Sequence, residues 1–297
     1  MKIPCGAQRT RSQLDYPPAV PELSLASFNV HAGMDGWGRR YDLVGACRRL
    51  CADVIVLQET FAPAGSPGQA DEIARELGLT AVSLPLARAW RRREPAANPR
   101  GWEPRKVLPS TLRALRVGGR IDSPGRADLV GYEEGTWGVA VLTALPVLSS
   151  EVLGLGRLAR DFTDRSALVV ELEAGPLPHR DWALEGEPRP DTVLRVIGAH
   201  SAHVTAGSPA QIRRLWRMLE GPGFPSALAG DMNLWGPPLR LLMPGWRRAV
   251  RARTWPAWRP HSQPDHILVN RRITVLDGQA VRTGNSDHLA VRARICW

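Results

Sequence analysis

Polar side chains that could bind a metal ion and a phosphate follow an apolar segment near the end of the chain. Gly230-Asp231-Met232-Asn233 comes directly after the small apolar run Ser226-Ala227-Leu228-Ala229, which predicts the end of a buried strand. Because strand side chains repeat every second position, Asp231 and Asn233 leave the sheet pointing the same way. Taken alone, an Asp-x-Asn after a strand is usually a turn. The pair indicates chemistry only if other polar groups join it.

Further polar groups stand at the ends of other predicted strands. They are Asn29, Glu59, His200, the pair Asp265-His266 and the segment Ser286-Asp287-His288. Each alone is also typical of a turn, a cap or a hydrogen-bonded structural histidine. Together they supply hard oxygen ligands beside imidazoles. Such oxygens favour Mg²⁺, Mn²⁺ or Ca²⁺, and the absence of a Cys/His ligand set in the sequence argues against zinc.

This combination of groups matches the needs of phosphoester hydrolysis. A divalent metal neutralises phosphate charge, a base activates water, and hydrogen-bond donors stabilise the transition state. The residues therefore predict a metal-dependent hydrolase that acts on phosphoester bonds.

The segments that must position these residues are mostly short apolar runs. The predicted strands are 23–30, 53–57, 80–86, 136–142, 166–173, 192–199, the run before Asp231, 265–269, 274–281 and 288–295. The predicted helices are 42–51, 69–77 and 209–220. Many strands with few helices indicate an α/β sandwich and not a doubly wound parallel sheet.

Composition sets wider limits on the function. The hydrophobic share of 43% and charged share of 23% are ordinary for a soluble globular protein. The net charge of +10 is mostly arginine, which fits either an anionic partner or a compositional bias of the source. The N-terminal tail, residues 1–22, has no apolar secretory core, and no stretch is long enough to span a membrane. We therefore predict a cytoplasmic protein and assume a monomer.

An arginine- and proline-rich insertion, about 88–135, interrupts the strand pattern. It contains Arg91-Arg92-Arg93 and a possible short helix near Leu112 to Leu115. Two interpretations stay open: a solvated surface segment, or a basic arm that closes over a polyanionic substrate.

The ordered motifs resemble those of the endonuclease/exonuclease/phosphatase superfamily, the deoxyribonuclease-I-like fold. The matching segments are Ser27-Phe28-Asn29-Val30, Leu57-Gln58-Glu59, Gly138-Val139-Ala140-Val141-Leu142, Gly198-Ala199-His200-Ser201, Gly230-Asp231-Met232-Asn233, Pro264-Asp265-His266-Ile267-Leu268 and Ser286-Asp287-His288. The resemblance implies one domain, 23–297, built as a four-layer α/β/β/α sandwich of two packed, mostly antiparallel sheets with helices outside.

The resemblance also implies a metal site. Glu59 would be the principal ligand of Mg²⁺ or Mn²⁺, with Ca²⁺ a further candidate, and Asn29 and Asp287 would lie beside it.

The catalytic groups implied by the resemblance lie on later motifs. Asp231 and Asn233 would orient the attacking water and the phosphate. His288 would act as general base or phosphate contact, aligned by Asp265, and which of Asp231 and His288 takes the proton stays open. His200 would contact a phosphate oxygen or protonate the leaving group.

Some positions depart from the family pattern or concern only the substrate. Thr143-Ala144-Leu145 replaces a usual basic or aromatic residue, and His200 replaces the tyrosine of abasic-site endonucleases. Glu133 and Glu134 are candidates for an acidic partner of His200. The expected substrate contacts are Thr254, Trp255, Arg91, Arg92 and Arg93.

Three functions are compatible with these residues. The first is a nuclease that hydrolyses DNA or RNA, supported by the basic excess. The second is a phosphatase or phosphodiesterase that acts on a small phosphoester or a phospholipid head group. The third is a catalytically inactive nucleic-acid-binding module, which the intact set of carboxylates disfavours because these would repel one another without a metal.

Overall fold

The chain folds into two β-sheets that pack face to face. The computed structural model describes residues 22–36, 38–92, 112–113, 132–158, 161, 163–174, 192–204, 207–219 and 223–297. A core of apolar side chains from both sheets fills the space between them, including Val54, Val141, Leu168 and Ile267. Because the two inner faces share this core, the sheets form a single sandwich.

The first sheet has seven strands in the order β12-β13-β1-β2-β5-β3-β4. Its strands are β1 (Glu22–Asn29), β2 (Val54–Pro63), β3 (Thr80–Arg92), β4 (Leu112–Arg113), β5 (Tyr132–Thr143), β12 (Thr274–Val281) and β13 (Ala290–Cys296). Only β1 and β2 pair in parallel among these described strands.

The second sheet has six strands in the order β10-β11-β9-β8-β7-β6. Its strands are β6 (Val147–Gly156), β7 (Arg165–Glu173), β8 (Val193–His200), β9 (Ser226–Asp231), β10 (Arg247–Arg248) and β11 (Asp265–Val269). Here β8 and β9 are parallel, and the other described pairs are antiparallel. The prediction of mostly antiparallel sheets is confirmed.

Helices cover the outer face of each sheet. The helices α1 (Leu43–Arg48) and α2 (Gln69–Leu77) pack on the first sheet, and α3 (Ser208–Leu219) and α4 (Gly236–Leu242) pack on the second. The Asp42 carboxylate caps α1 by accepting from Gly45 N at 2.7 Å, and Gly78 ends α2 with a left-handed φ of 69°. The four-layer α/β/β/α sandwich is therefore confirmed.

Strand β2 shows why its sequence is a continuous apolar run. Val54 and Val56 face the core between the sheets, while Ile55 and Leu57 face the helices. A strand buried on both faces has no polar positions to alternate with apolar ones.

Several elements differ from the sequence prediction. Residues 88–92 extend β3 and residues 132–135 begin β5, so both ends of the insertion belong to the first sheet. Leu112–Arg113 pairs with β3, so the short helix predicted there is wrong at these two residues. The rest of the predicted insertion lies outside the described residues, as does most of the 1–22 tail. Across the described parts of the chain, no helix is long and apolar enough to cross a membrane.

Candidate active site

One end of the sandwich collects the polar strand ends. Strand β1 ends there at Asn29, whereas the parallel strand β2 continues past this point and carries Glu59 at a bulge inside the strand, not at a strand end as the sequence predicts. Asn29 and Glu59 lie side by side. The parallel strands β8 and β9 finish at the same end and pair His200 with Asp231. Strand β11 runs antiparallel to β9 and begins at Asp265, opposite Asp231. The topology thus brings residues far apart in sequence to one edge.

The loop before β13 adds Asp287 and His288 to this edge. Because β13 is antiparallel to β1, its N-terminal end lies beside the C-terminal end of β1. The Ser286 hydroxyl donates to Asn29 O at 2.7 Å, and Ala257 N donates to Asp287 O at 2.7 Å. These bonds hold the loop against β1 and against the segment that precedes β11.

The Asn29 side chain joins two of the carboxylates. Its Nδ2 donates to Glu59 Oε1 at 3.2 Å and to Asp231 Oδ2 at 3.1 Å, while its Oδ1 accepts from His31 N at 3.1 Å. Asn29 is fully buried. In this arrangement the Asn29 amide group orients Glu59 and Asp231. Its Oδ1 is engaged by His31 N and is therefore not free to act as a cation ligand.

Glu59, which is partly buried, and Asp287, which is buried, are neighbouring acids. Burial raises the pKa of Glu59, and the charge of Asp287 raises it further against the opposing effect of His31. The pKa of Asp287 is lowered even though burial opposes this, because His31 and His288 lie close. Two carboxylates that repel each other in a buried place, with His31 Nδ1 3.7 Å from Asp287 Oδ1, fit a small divalent cation bound by oxygen.

Two site residues lie in unusual backbone conformations. Glu59 has a φ of 57° where the β2–β5 register shifts between Gln58 and Thr60, and Asn233 has a φ of 47°. A bulge of this kind changes the direction in which a side chain points. Such strain in non-glycine residues is concentrated at functional sites.

Asp231 lies at the centre of the group. Its Oδ1 accepts from Asn233 N at 2.8 Å, and its Oδ2 lies 3.8 Å from both His200 Nε2 and His288 Nε2. The preceding Gly230 is required by close packing, since a Cβ there would lie 1.9 Å from Ala199 O of strand β8. The glycine thus lets β9 deliver Asp231 beside His200.

Thr254, Asp265 and His288 form a hydrogen-bonded chain. Thr254 Oγ1 donates to Asp265 Oδ2 at 2.5 Å, and His288 Nδ1 lies 2.9 Å from that same oxygen. Burial would lower the pKa of His288, but Asp265, Asp287 and Asp231 outweigh burial and raise it well above the ordinary value. With Nδ1 engaged, the Nε2 of His288 is the nitrogen that faces Asp231.

His200 has different surroundings. Burial and the positive charge of Arg165 lower its pKa to about 3 against the effect of Asp231. Its Nε2 lies 3.3 Å from Asn233 Nδ2, its ring packs 5.2 Å from that of Trp137, and its Nδ1 has no hydrogen-bond partner among the described residues. His200 is therefore a neutral imidazole held by packing.

These residues line one cleft of about 560 Å³. Its walls combine the acids and histidines with aromatic and basic side chains, which are His31, Glu59, Arg88, Trp137, Arg165, His200, His203, Asp231, Asn233, Trp235, Trp255, Gln263, Asp287 and His288. The roles predicted for the individual site residues stay predictions. That these residues lie together at one end of the sandwich follows from the fold.

A second set of possible metal ligands overlaps this group. Ligand atoms of Asp231, Asp265 and His288 lie within 4.8 Å of one another. Asp265 is already bonded to both Thr254 and His288, which makes it a poor ligand. The assignment of Glu59 and Asp287 as the cation ligands stays a prediction.

The expected substrate contacts lie in different places. Thr254 is fully buried and bonded to Asp265, whereas Trp255 lines the cleft and its Nε1 donates to Asp287 Oδ2 at 3.4 Å. Arg91 is buried, packs on the Phe61 ring and donates to Glu133 at 2.7 Å. That position gives no support for a substrate contact. The Arg92 side chain and Arg93 lie outside the described residues.

The candidate acidic partners of His200 bind arginines instead. Glu133 pairs with Arg40 and Arg91, and Glu134 pairs with Arg88. This overturns the suggestion that either one accompanies His200. Both acids lie on β5 beside β3, whose arginines attract them more closely.

Arg165 is a cleft residue that the sequence analysis missed. Its guanidinium lies 4.9 Å from the Trp137 ring centroid, donates to His200 O at 3.3 Å and bonds the buried Asp161 at 2.9 Å. Asp161 and Arg165 are four residues apart in no helix, so no periodic pattern could have indicated the pair. His31 was likewise missed as a neighbour of Asp287.

The sequence matches the model of the endonuclease/exonuclease/phosphatase family over residues 26–288. No curated protein matches it significantly. Members of this family are typically hydrolases of phosphoester bonds and are generally dependent on divalent metals.

Solved structures share the fold at low sequence identity. An endonuclease/exonuclease/phosphatase from Beutenbergia cavernae has a TM-score of 0.56 and 18% identity, covering 93% of this chain and 72% of that one. D. rerio TDP2 complexed with single strand DNA product has a TM-score of 0.54 and 13% identity, covering 93% and 99%. The human Nocturnin catalytic domain with bound sulfate anion has a TM-score of 0.54 and 13% identity, covering 93% and 93%.

Proposed function

Because the chain belongs to the endonuclease/exonuclease/phosphatase family, we propose that it is a divalent-metal-dependent phosphodiesterase that hydrolyses nucleic acid. The observation that carries the proposal is the position of Asp231. It is bonded to Asn29 on the side of the acids and lies 3.8 Å from each of His200 and His288 on the other side. A cation site and a water-activating site therefore meet at one carboxylate.

The acid side of the cleft would hold the cation. Glu59 supplies a partly buried carboxylate and Asp287 a buried one, and Asn29 keeps Glu59 in place. When bound, Mg²⁺ or Mn²⁺ would neutralise phosphate charge and polarise a phosphate oxygen. The oxygen donor set suits these ions and not a soft metal.

The histidine side would handle the water and its proton. Asp231 Oδ2 is the group placed to receive the proton of the attacking water. Asp265 holds the His288 ring in orientation, and the raised pKa of His288 favours an imidazolium that can donate Nε2–H to a phosphate oxygen. Asn233 Nδ2 donates to Ser201 O at 3.0 Å and lies 3.3 Å from His200 Nε2. In the tautomer that carries its proton on Nε2, His200 can donate to a phosphate oxygen, and Asn233 keeps its second N–H for the same oxygen.

The cleft walls support nucleic acid as the substrate. Trp235 is 52% exposed although it lines the cleft, and Trp255 lies beside Asp287. Flat aromatic faces stack on nucleobases. Arg88 and Arg165 also line these walls, where Glu134 and Asp161 hold their guanidinium groups.

A panel of phosphodiesters tests the proposal. We expect the purified protein to cleave single-stranded DNA or RNA in Mg²⁺ or Mn²⁺, and to lose this activity in EDTA and in the Asp231→Asn variant. Intact plasmid, linear DNA and RNA across all divalent metals would overturn the proposal of a nuclease.

A small phosphoester is the second candidate substrate, because the cleft volume of about 560 Å³ lies in the range of small-molecule sites. Turnover of inositol phosphates or phospholipid head groups, with no cleavage of any nucleic acid, would select this alternative. The same metal and variant controls apply.

A further inference from the structure

Three arginines stand together beside the cleft without serving it in the site described above. Arg248 ends strand β10, and Arg251 and Arg253 follow it on an extended segment that leads to Thr254. Arg251 and Arg253 are exposed, while Val250 and Thr254 are buried. This alternation turns both exposed arginines to the same side. We call these three residues the basic rim.

The Arg248 guanidinium is fixed against two residues next to the cleft. A Cβ at Gly236 would lie 1.7 Å from Arg248 Nη1, so the guanidinium occupies the space that a side chain there would need. Arg248 Nη1 also donates to Gln263 Oε1 at 3.3 Å. Gln263 and Trp235, the residue before Gly236, both line the cleft. Arg248 therefore lies where the cleft opens towards the rim.

Gln263 ties the rim segment to the cleft wall. Its Oε1 accepts from Ala252 N at 3.2 Å as well as from Arg248, and its Nε2 donates to Val250 O at 3.0 Å. The segment between Arg248 and Arg253 thus has a fixed backbone, and its exposed side chains start from a defined position.

The rim holds like charges close together. Burial and the neighbouring charge of Arg251 lower the pKa of Arg248. Within the described ranges, no carboxylate forms an ion pair with Arg248, Arg251 or Arg253. Adjacent cations of this kind repel each other until an anion lies between them.

Other arginines near the cleft are already neutralised. Arg165 is paired with Asp161, Arg91 with Glu133, and Arg88 with Glu134. The rim differs because its positive charge is not compensated by a described acid. It is also continuous with the cleft at Gln263, whereas an unrelated charged patch would have no such connection.

We propose that the basic rim binds the backbone phosphates of a nucleic-acid strand whose scissile phosphodiester lies in the cleft. This inference rests on the proposed function and extends it to the path of the substrate. The arginine fork matches the geometry of phosphate oxygens, and spaced contacts along an extended segment suit a linear polyanion. Residues beyond the cleft would thereby select long substrates over short ones.

Binding is measured by fluorescence anisotropy with a labelled single-stranded DNA oligonucleotide, in EDTA, so that no cleavage occurs. For the Arg248→Gln/Arg251→Gln variant we expect about tenfold weaker binding at low salt. We also expect the salt slope of log K to become shallower by about 1.4, that is, about 0.7 for each lost phosphate contact. Arg251→Gln alone, at an exposed position, gives a smaller loss in the same direction and guards against misfolding of the double variant.

The Arg213→Gln/Arg217→Gln variant is the matched control, because both arginines are exposed on α3 and removing them changes the net charge equally. It should bind the oligonucleotide as the unmodified protein does. Equal loss of affinity in the control and the rim variant would overturn the proposal, as would unchanged affinity in the rim variant. Binding of the rim to phosphatidylserine vesicles in preference to DNA would also overturn it.

The two proposals fail in distinguishable ways. A protein that cleaves bis(p-nitrophenyl) phosphate, with rim variants that bind DNA normally, retains the proposed chemistry and refutes the rim. A protein that cleaves no phosphodiester, with rim variants that still lose DNA binding, refutes the chemistry and leaves the rim standing.

Discussion

The two sheets contribute different chemistry to one cleft. The first sheet, with the loop before β13, supplies Asn29, Glu59 and Asp287, which is a set of oxygen-bearing side chains. The second sheet supplies His200, Asp231 and Asp265, and through Asp265 it also holds the ring of His288, whose backbone lies in the loop before β13. Neither sheet carries all the residues of the proposed site. The packing of the two sheets therefore buries apolar surface and also brings these polar side chains together.

Because the two sheets carry different groups, cation affinity and the rate of the chemical step should be separable by mutation, and each can be measured independently. Groups of the first sheet should control the affinity for the cation, and groups of the second should control the rate of the chemical step. Asp231 gives the strictest test of this division of roles, because its side chain is bonded to Asn29 of the first sheet and also faces both histidines.

The largest effect is expected for Asp231→Asn. The substitution keeps the shape of the side chain but removes a proton acceptor, so we expect kcat to fall by about 10³-fold. The metal concentration that gives half-maximal activity should change little. Circular dichroism and the melting temperature check that the variant is folded.

Glu59→Gln should change the affinity for the cation more than the rate of the chemical step. Loss of this partly buried carboxylate should raise the metal concentration for half-maximal activity by about 10- to 100-fold, with activity partly recovered at high Mn²⁺. Glu76→Gln, on the exposed side of α2, is the control. A variant whose activity is lost equally at every metal concentration would contradict the assignment.

Thr254→Val should give a smaller effect through Asp265. Without the hydroxyl that donates to Asp265 Oδ2, the orientation of the Asp265–His288 pair is less defined, and we expect kcat to fall about tenfold with little change in KM. Thr254→Ser should restore most of the rate. Thr143→Val, which removes another buried hydroxyl bonded to Leu145 N, is the matched control for stability.

The smallest effect concerns a buried histidine of the second sheet that does not line the cleft. Burial lowers the pKa of His266 to about 4, while its Nε2 is bonded to Leu234 O at 2.9 Å. In the unfolded chain His266 is protonated near its ordinary pKa of about 6.5. The contribution of the neutral, buried His266 to the free energy of unfolding is therefore complete above that pH and is lost as the pH falls towards 4. Urea unfolding at several pH values should show that the free energy of unfolding of His266→Gln falls less steeply with decreasing pH than that of the unmodified protein.

Most of the fold and of the candidate site could be predicted from the sequence, because both depend on where the apolar strands lie and which polar residues follow them. Continuous apolar runs such as 54–57 predict strands buried on both faces, and polar residues that follow them predict an edge of the sandwich. Strand β6 was missed because it lies at the sheet edge, with residues 148–152 exposed, so burial imposes no apolar pattern on it.

Other features could not be read from the sequence because they are tertiary. The burial of Arg91 depends on Glu133 of another strand, and the position of Arg165 depends on Trp137 and His200. The run Arg91-Arg92-Arg93 therefore suggested a substrate arm, whereas Arg248 and Arg251, which lie beside the cleft wall, form no ion pair with a described acid. Spacing alone does not distinguish a paired arginine from an available one.

The central claim is that the first sheet holds the cation while the second handles water and phosphate. Isothermal titration of Mn²⁺ into Glu59→Gln and Asp231→Asn, side by side and without substrate, tests it most directly. The account predicts that Glu59→Gln loses most of its affinity and Asp231→Asn keeps it within a few-fold. Loss of Mn²⁺ binding in Asp231→Asn with retention in Glu59→Gln would contradict the account and place the cation among Asp231, Asp265 and His288.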